Sequence, residues 1–195
     1  EGQDFMSGLL EGEGTRDDYI SLVAQHYFIY EALEAAAANM ANDPIASVFI
    51  TDKLTRLPAL EADLAFLVGD DWRERIRPLS TTAEYVARIT QVGATWPGGF
   101  VAHHYTRYLG DLSGGLFIGR IMSRRFGFDT NGVGFYLFGE IADPKAFKQV
   151  YREQLDAAPW DDAEKERVID EALLAYRFNT DLVAELGPTA SAAVA

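Results

Sequence analysis

The stretch with the greatest chemical potential is residues 108–115 (YLGDLSGG), which places three glycines and one carboxylate inside a helix predicted over residues 99–125. Glycine within a helix costs roughly 1 kcal/mol relative to alanine, so Gly110, Gly114 and Gly115 together cost about 3 kcal/mol. Gly110 and Gly114 are four residues apart and share one face, which therefore carries no side chains. A flat ligand can approach this face closely, or the helix can bend there.

Charged side chains lie near this glycine face in the sequence. Arg107 and Asp111 are four residues apart, with Tyr105 nearby, and the carboxylate can hold water over a bound ligand and relay protons. A surface ion pair between Arg107 and Asp111 explains this spacing equally well. Lys148 and Arg152 are also four apart and can clamp a dianionic ligand. On spacing alone, a solvated helix face is the favoured interpretation of that second pair.

The three histidines do not have the spacing of a metal site. His103 and His104 are adjacent, so on a helix they point about 100° apart and cannot easily share one ion. His26 belongs to a different predicted helix. Each histidine is interpreted as a partly buried polar residue on an apolar face.

Composition excludes several classes of function. The net charge of -13 and the sequence pI of about 4.6 argue against nucleic-acid binding, which needs a basic face. We expect no membrane span, because no apolar run is long enough. The absence of cysteine excludes thiolate sites and fits a cytoplasmic protein. Three arginines near the end of the glycine-bearing helix suit its dipole or can dock an acidic redox partner: Arg120, Arg124 and Arg125.

Helical periodicity over nearly the whole chain predicts an all-α, single-domain protein of residues 1–188 with a disordered tail over 189–195. The chain shows no strand pattern, so Gly110 and Gly114 are not a dinucleotide-binding fingerprint. Thr15 is predicted to cap the first long helix, and a capping box of Thr81 and Glu84 to begin another. The glycine-bearing helix is predicted to end at Gly127, and residues 128–141 to form a loop. The remaining helices are predicted over residues 56–68, over 144–155 with Asp143 at its start, and over 162–187 with a cap at Asp161.

Residues 101–115 (VAHHYTRYLGDLSGG) resemble the distal-helix signature of the haem oxygenases, and further similarity follows in order at residues 29–34, 60–66, 147–152 and 178–179. The resemblance implies a fold in which haem b lies between a proximal helix, which supplies a histidine to the iron, and a kinked distal helix. It also implies cleavage of haem to biliverdin, ferrous iron and CO, using O2 and electrons from a ferredoxin- or flavoprotein-type reductase. By analogy with bacterial members, the chain is expected to be a cytoplasmic, monomeric enzyme of iron acquisition.

The resemblance assigns roles by position. Gly110 and Gly114 would let the distal backbone lie against the porphyrin, and Asp111 would anchor a water network that delivers protons for attack on a meso carbon. Other matched positions belong to the extended polar network: Arg107, Tyr85 and Asn179. Three further matched positions would bind the haem propionates: Tyr105, Lys148 and Arg152. Two positions in the glycine run, Ser113 and Gly115, would also contact haem.

Two positions depart from the family pattern. Phe49 stands where many relatives have a tyrosine in the distal network, which predicts a shorter or differently anchored water chain. The proximal histidine is expected four residues before Glu1, and Glu1 matches the acid that orients it. No metal ligand is therefore assigned within this chain.

Two other functions remain open from the residues. One is a haem carrier or sensor of the same fold that does not turn haem over. The other is a helical scaffold for protein interactions, in which Lys148 and Arg152 lie on an ordinary solvated face.

Overall fold

The computed structural model describes residues 2–189 and 194, and the side chains of residues 5–187 and 194. This part of the chain is helical, apart from loops and one bridge between Ile76 and Val194. The all-α prediction is confirmed. The helices are α1 (Gly2–Glu11), α2 (Arg16–Met40), α3 (Leu57–Val68), α4 (Trp72–Arg75), α5 (Ser80–Thr95), α6 (Pro97–Gly110), α7 (Leu116–Phe126), α8 (Pro144–Asp156) and α9 (Asp162–Thr189), with short 3-10 turns at Ala46–Phe49, Asp52–Leu54 and Gly134–Tyr136.

The glycine-bearing helix is divided where the glycines occur. A π-helical segment, Asp111–Gly115, separates α6 from α7. The helix ends as predicted, at Gly127, whose φ of 71° is the left-handed conformation that glycine adopts without strain. The predicted bend thus takes the form of a π segment, a feature that occurs frequently at functional sites.

The capping box predicted at Thr81 and Glu84 is wrong. Helix α5 begins at Ser80, after Leu79, which makes no side-chain cap bond in the described structure. The backbone N–H groups of Ser80 and Thr81 donate instead to the carboxylate of Glu185 in α9, at 3.1 and 2.8 Å. A carboxylate at this position also interacts favourably with the helix dipole. The cap comes from a helix far away in sequence, so local patterns could not reveal it.

Other predicted helix ends are confirmed. Thr15 and Asp18 form a reciprocal capping box at the start of α2. Asp143 accepts the Ala146 N–H at 3.0 Å, and Asp161 caps α9 in the same way. Helix α9 continues to Thr189, two residues beyond its predicted end, and most of the tail predicted to be disordered lies outside the described residues.

Helix α2 forms the centre of the core. It packs between α3 and α5, while α6 packs against α9, which also contacts α1. The π segment contacts α8 and the 3-10 turn in the loop that follows α7, and Tyr30 of α2 donates a hydrogen bond to its Asp111. Within the described residues, no helix is both long and apolar enough to cross a bilayer.

A buried carboxylate holds the loop over residues 128–141 against the core. Asp63 of α3 accepts the backbone N–H groups of Gly132, Gly134 and Phe135 at 2.8, 3.0 and 2.8 Å. The Tyr19 hydroxyl donates to the carbonyl of Gly132. These bonds replace the regular backbone pairing that a loop lacks and fix the loop beside the π segment.

We expect Asp63→Ala to lower the free energy of unfolding by about 3 kcal/mol, because three N–H groups lose their acceptor in the core. Urea denaturation at pH 7 measures this change. Glu61→Ala is the matched control on the same helix, since the Glu61–Arg73 pair is exposed and its loss costs at most about 1 kcal/mol. Equal losses for the two variants would contradict the role of Asp63.

Candidate functional site

Gly110 at the end of α6 and the glycines of the π segment and α7 fall into two groups according to what a side chain would meet. Among the described residues, a Cβ atom at Gly110 or Gly114 would meet nothing within 4 Å, and both positions are exposed. A Cβ atom at Gly115 or Gly119 would lie 3.1 or 2.8 Å from Tyr136. Gly110 and Gly114 thus line an open surface, which we call the bare face. Gly115, assigned to haem by the resemblance, is buried and lets the loop pack closely.

Asp111 lies partly buried in the same π segment as Gly114. The Tyr30 hydroxyl, from α2, donates to its Oδ2. Burial raises the pKa of Asp111 to about 6, although Arg107, Tyr30 and Arg56 oppose the increase. The carboxyl group therefore titrates near neutral pH, as a group that takes up and releases protons must.

Arg107, one turn before Asp111, joins three helices. Its Nη1 donates to Asn179 Oδ1 of α9 at 2.5 Å and its Nη2 to His26 Nδ1 of α2 at 2.9 Å, while its guanidinium lies 5.0 Å from the centre of the Tyr30 ring. Burial, and then the charge of Arg107, hold the pKa of His26 well below its usual value. His26 is therefore neutral and accepts. Arg107 is buried, so the surface ion pair with Asp111 does not occur.

Tyr30 and His26 were missed as site residues by sequence analysis. Phe49 stands where many relatives have a network tyrosine, and its ring centre lies 4.9 Å from that of Tyr151. The tyrosine that donates to Asp111 in this chain is Tyr30. A usable signal was present, because Tyr30 belongs to the similar segment over residues 29–34 and follows His26 by one turn on α2.

Asn179 of α9 accepts a hydrogen bond from Arg107, and Tyr85 of α5 lies close enough for the charge of Arg107 to act on its hydroxyl. Tyr85 is fully buried and stacks on Phe178 with 4.8 Å between ring centres. Its hydroxyl has no hydrogen-bond partner among the described residues. The structure thus brings together the predicted polar positions Arg107, Tyr85 and Asn179.

The predicted cation pair lies beside the π segment. Lys148 Nζ of α8 donates to Ser113 Oγ at 2.9 Å, and Ser113 in turn donates to the Leu109 carbonyl. Lys148 therefore sits at the edge of the bare face.

Tyr105 and Arg152 share a neighbourhood near Tyr176 of α9. Burial raises the pKa of the Tyr176 hydroxyl, Tyr105 raises it further and Arg152 lowers it. Tyr105 also borders a mostly apolar cavity of about 430 Å³ between α6 and α9. Among the described residues, neither Tyr105 nor Arg152 forms a hydrogen bond or ion pair with the π segment, so their assigned role stays a prediction.

Each histidine has a partner within the protein. His103 Nε2 lies 2.7 Å from Glu171 Oε1, His104 Nδ1 lies 2.8 Å from the Tyr151 hydroxyl, and His26 binds Arg107. In the described part of the chain, no group of three histidine or acidic residues could hold a metal ion. Glu1, assigned as the acid that orients the proximal histidine, lies outside the described residues.

An exposed stretch of backbone, a carboxyl group that titrates near neutrality and a lysine at the edge define a helical protein suited to a flat, anionic ligand. Comparisons with known proteins narrow this class. The sequence model of the family described as "Heme oxygenase" matches residues 1–185. The chain belongs to the haem oxygenase family.

Individual haem oxygenases are similar to this chain in sequence and in structure. Heme oxygenase 1 of the cyanobacterium Synechocystis is 39% identical over 95% of this chain and 78% of its own length, and the human heme oxygenase 1 is 39% identical over 95% of this chain and 66% of its own length. The crystal structure of the Synechocystis heme oxygenase-1 in complex with heme superposes with a TM-score of 0.89, covering 97% of this chain and 86% of that one. Heme oxygenase from Leptospira interrogans has a TM-score of 0.83 at 31% identity, covering 94% of this chain and 88% of that one.

Proposed function

We propose that this enzyme cleaves haem oxidatively to biliverdin, ferrous iron and CO, using O2 and electrons from an external donor. The observation that carries the proposal is the bare face at Gly110 and Gly114, next to Asp111. A porphyrin is flat and needs a surface without side chains, and its propionates need cations at one edge. Gly110, Gly114 and Lys148 meet these requirements, so the residues fit haem.

Bound haem supplies the iron that activates O2 and is itself the molecule that is oxidised. The protein's part is to position protons. Asp111 holds or releases a proton close to neutral pH, and the Tyr30 hydroxyl fixes its Oδ2. Arg107 stays cationic, favours the ionised form of Asp111 and ties Asn179 and His26 to the same network. Through water over the bare face, Asp111 then delivers protons to the reacting side of the ligand.

Lys148 and Arg152 orient the substrate by binding its propionates, with Tyr105 beside them. We expect the double variant Lys148→Glu/Arg152→Glu to change the ratio of biliverdin isomers, because reversed charges at this edge turn haem within its plane. Chromatography of the products measures the ratio. Lys53→Glu, which reverses an exposed charge on a different turn, is the control. An unaltered ratio in the double variant would show that other residues hold the propionates.

Electrons are proposed to come from a ferredoxin- or flavoprotein-type reductase. Arg120 and Arg124 are exposed on α7 and give an acidic redox protein a cationic contact on a chain of net charge -13. Arg125 has a different role, since it donates to the carbonyls of Leu9 and Gly12 and ties α7 to α1 and the turn after it. We further propose that the enzyme is monomeric and cytoplasmic and serves iron acquisition. A histidine before Glu1 is proposed as the ligand of haem b.

Mixing the full-length protein with hemin, oxygen and a reductant tests the activity. We expect the Soret band to disappear and biliverdin to form. A persistent Soret band without biliverdin would favour the haem carrier or sensor. Failure to bind hemin would favour the protein-interaction scaffold.

A further inference from the structure

A second buried polar cluster lies where α5, α6 and α9 meet, beyond Arg107. Glu171 of α9 accepts from Arg88 through both oxygens, with Nε–Oε1 at 2.7 Å and Nη2–Oε2 at 2.6 Å. Glu171 Oε1 also lies 2.7 Å from His103 Nε2. His103 is fully buried and Glu171 is 4% exposed, whereas Arg88 reaches solvent. The haem contacts proposed above do not include these three residues.

The carboxylate of Glu171 determines which ring nitrogen of His103 carries the hydrogen. Burial alone raises the pKa of Glu171, but the hydrogen bonds from Arg88 and His103 lower it to about 2. At neutral pH Glu171 is ionised and only accepts, so His103 Nε2 must donate to it. In the neutral imidazole, Nδ1 is then left as a lone-pair acceptor. Among the described residues, buried Nδ1 has no partner.

Two other buried polar atoms nearby also lack a hydrogen-bond partner among the described residues, and their donor and acceptor roles complement that of His103 Nδ1. The Tyr85 hydroxyl and Arg107 Nε also have no partner in the described structure. The rings of Tyr85 and His103 are 5.4 Å apart, and the charge of Arg107 acts on the pKa of Tyr85, which burial raises. Arg107 Nε only donates, His103 Nδ1 only accepts and the Tyr85 hydroxyl does both. Buried polar groups are nearly always paired, and a bridging water serves where the gap is too long for a direct bond.

We infer that Arg88, Glu171 and His103 form a positioning unit that sets the direction of hydrogen bonding in the site. With Nδ1 fixed as an acceptor, the Tyr85 hydrogen points toward His103 and the Tyr85 oxygen is free to accept from Arg107, directly or through water. The order of donors then runs from Arg107 through Tyr85 and His103 to Glu171. The tautomer follows from the contacts alone, whereas its effect on proton delivery to Asp111 rests on the proposed haem oxygenase activity.

Glu171→Met tests the tautomer in the haem-free protein. Methionine is close to glutamate in length but removes both acceptor oxygens, and Arg88 can turn to solvent without them. His103 Nε2 then has no acceptor at residue 171, so the hydrogen is favoured at Nδ1, where the Tyr85 hydroxyl can accept it. Nitrogen-15 NMR of labelled histidine distinguishes the two ring forms. We expect Nε2–H in the wild type and a shift toward Nδ1–H in the variant.

Glu61→Met is the matched control, because Glu61 pairs with Arg73 at the same 2.6 Å but on an exposed surface. It should leave the His103 signals unchanged. Observation of Nδ1–H in the wild type, or of an unchanged tautomer in Glu171→Met with a folded core, would overturn the inference.

Tyr85→Phe separates positioning from simple structural support. It removes the hydroxyl but leaves Glu171 and His103 in contact, so the Nε2–H tautomer should persist. We expect both variants to lower kcat for biliverdin formation by about fivefold at unchanged KM for haem, the effect of losing one hydrogen bond of ordinary strength. If the wild type turns haem over and Glu171→Met does so equally fast with a switched tautomer, the positioning role is overturned. If the wild type makes no biliverdin, the proposed function fails, and the tautomer is still decided by NMR.

Discussion

Replacing Gly110 or Gly114 with leucine is expected to abolish haem binding without destabilising the protein. A Cβ atom at either position meets no described atom within 4 Å, so a side chain can leave the backbone there without a clash. It would instead occupy the surface on which a porphyrin has to lie. Leucine also has the higher helix propensity, which adds up to about 1 kcal/mol to the free energy of unfolding. Hemin titration followed at the Soret band, together with urea denaturation, measures both effects.

Two other glycines serve as controls for this pair. Gly187 in α9 also has open space around its Cβ position, and Gly187→Leu should leave hemin binding intact. Gly119→Leu should destabilise the protein, because its Cβ atom would lie 2.8 Å from Tyr136. Tight hemin binding by both Gly110→Leu and Gly114→Leu would place haem elsewhere and remove the main support for the proposed function.

The glycines also show how far sequence reasoning reaches. The cost of about 3 kcal/mol assigned to Gly110, Gly114 and Gly115 pointed to a bare surface, because helix propensity is a local property. The sequence could not show that Gly115 faces Tyr136, since that contact depends on a loop that folds back across α7. Close packing, rather than a ligand, offsets part of the glycine cost.

The helix caps that were predicted are local in sequence, and the cap that was missed is distant. The caps at Thr15, Asp143 and Asp161 were predictable because each lies next in sequence to the helix it caps. Glu185 caps α5 from about a hundred residues away, and a local pattern at Thr81 gave the wrong cap.

Only part of the polar network was predicted, because its other members are brought together by contacts between helices that are distant in sequence. Arg107, Tyr85 and Asn179 were assigned through resemblance, and the structure brings them together around one guanidinium. Tyr30 and His26 were missed because their role depends on how α2 crosses α6. Such contacts between helices become visible only when the packing of the whole core is known.

Asp111→Asn is expected to retain haem binding but to reduce biliverdin formation by at least about a hundredfold, the usual contribution of a positioned proton donor or acceptor. Asparagine keeps the shape of the side chain and an oxygen that can accept from Tyr30, but it neither holds nor releases a proton near neutral pH. Hemin titration and single-turnover product analysis separate binding from chemistry. Asp181→Asn on α9 changes an exposed carboxylate and should keep wild-type activity.

The same substitution should make the haem-free protein more stable, and the pH dependence identifies the cause. Burial raises the folded-state pKa of Asp111 to about 6, from 3.8 in the unfolded chain, so the folded protein binds that proton more tightly. Ionisation therefore costs stability as pH rises from about 4 to 6, and the cost stays constant above that range. We expect Asp111→Asn to gain about 3 kcal/mol at pH 7 and nothing below pH 4. A gain that is independent of pH would have another origin. Lost activity together with gained stability would show that the fold keeps a costly buried carboxylate for its chemistry.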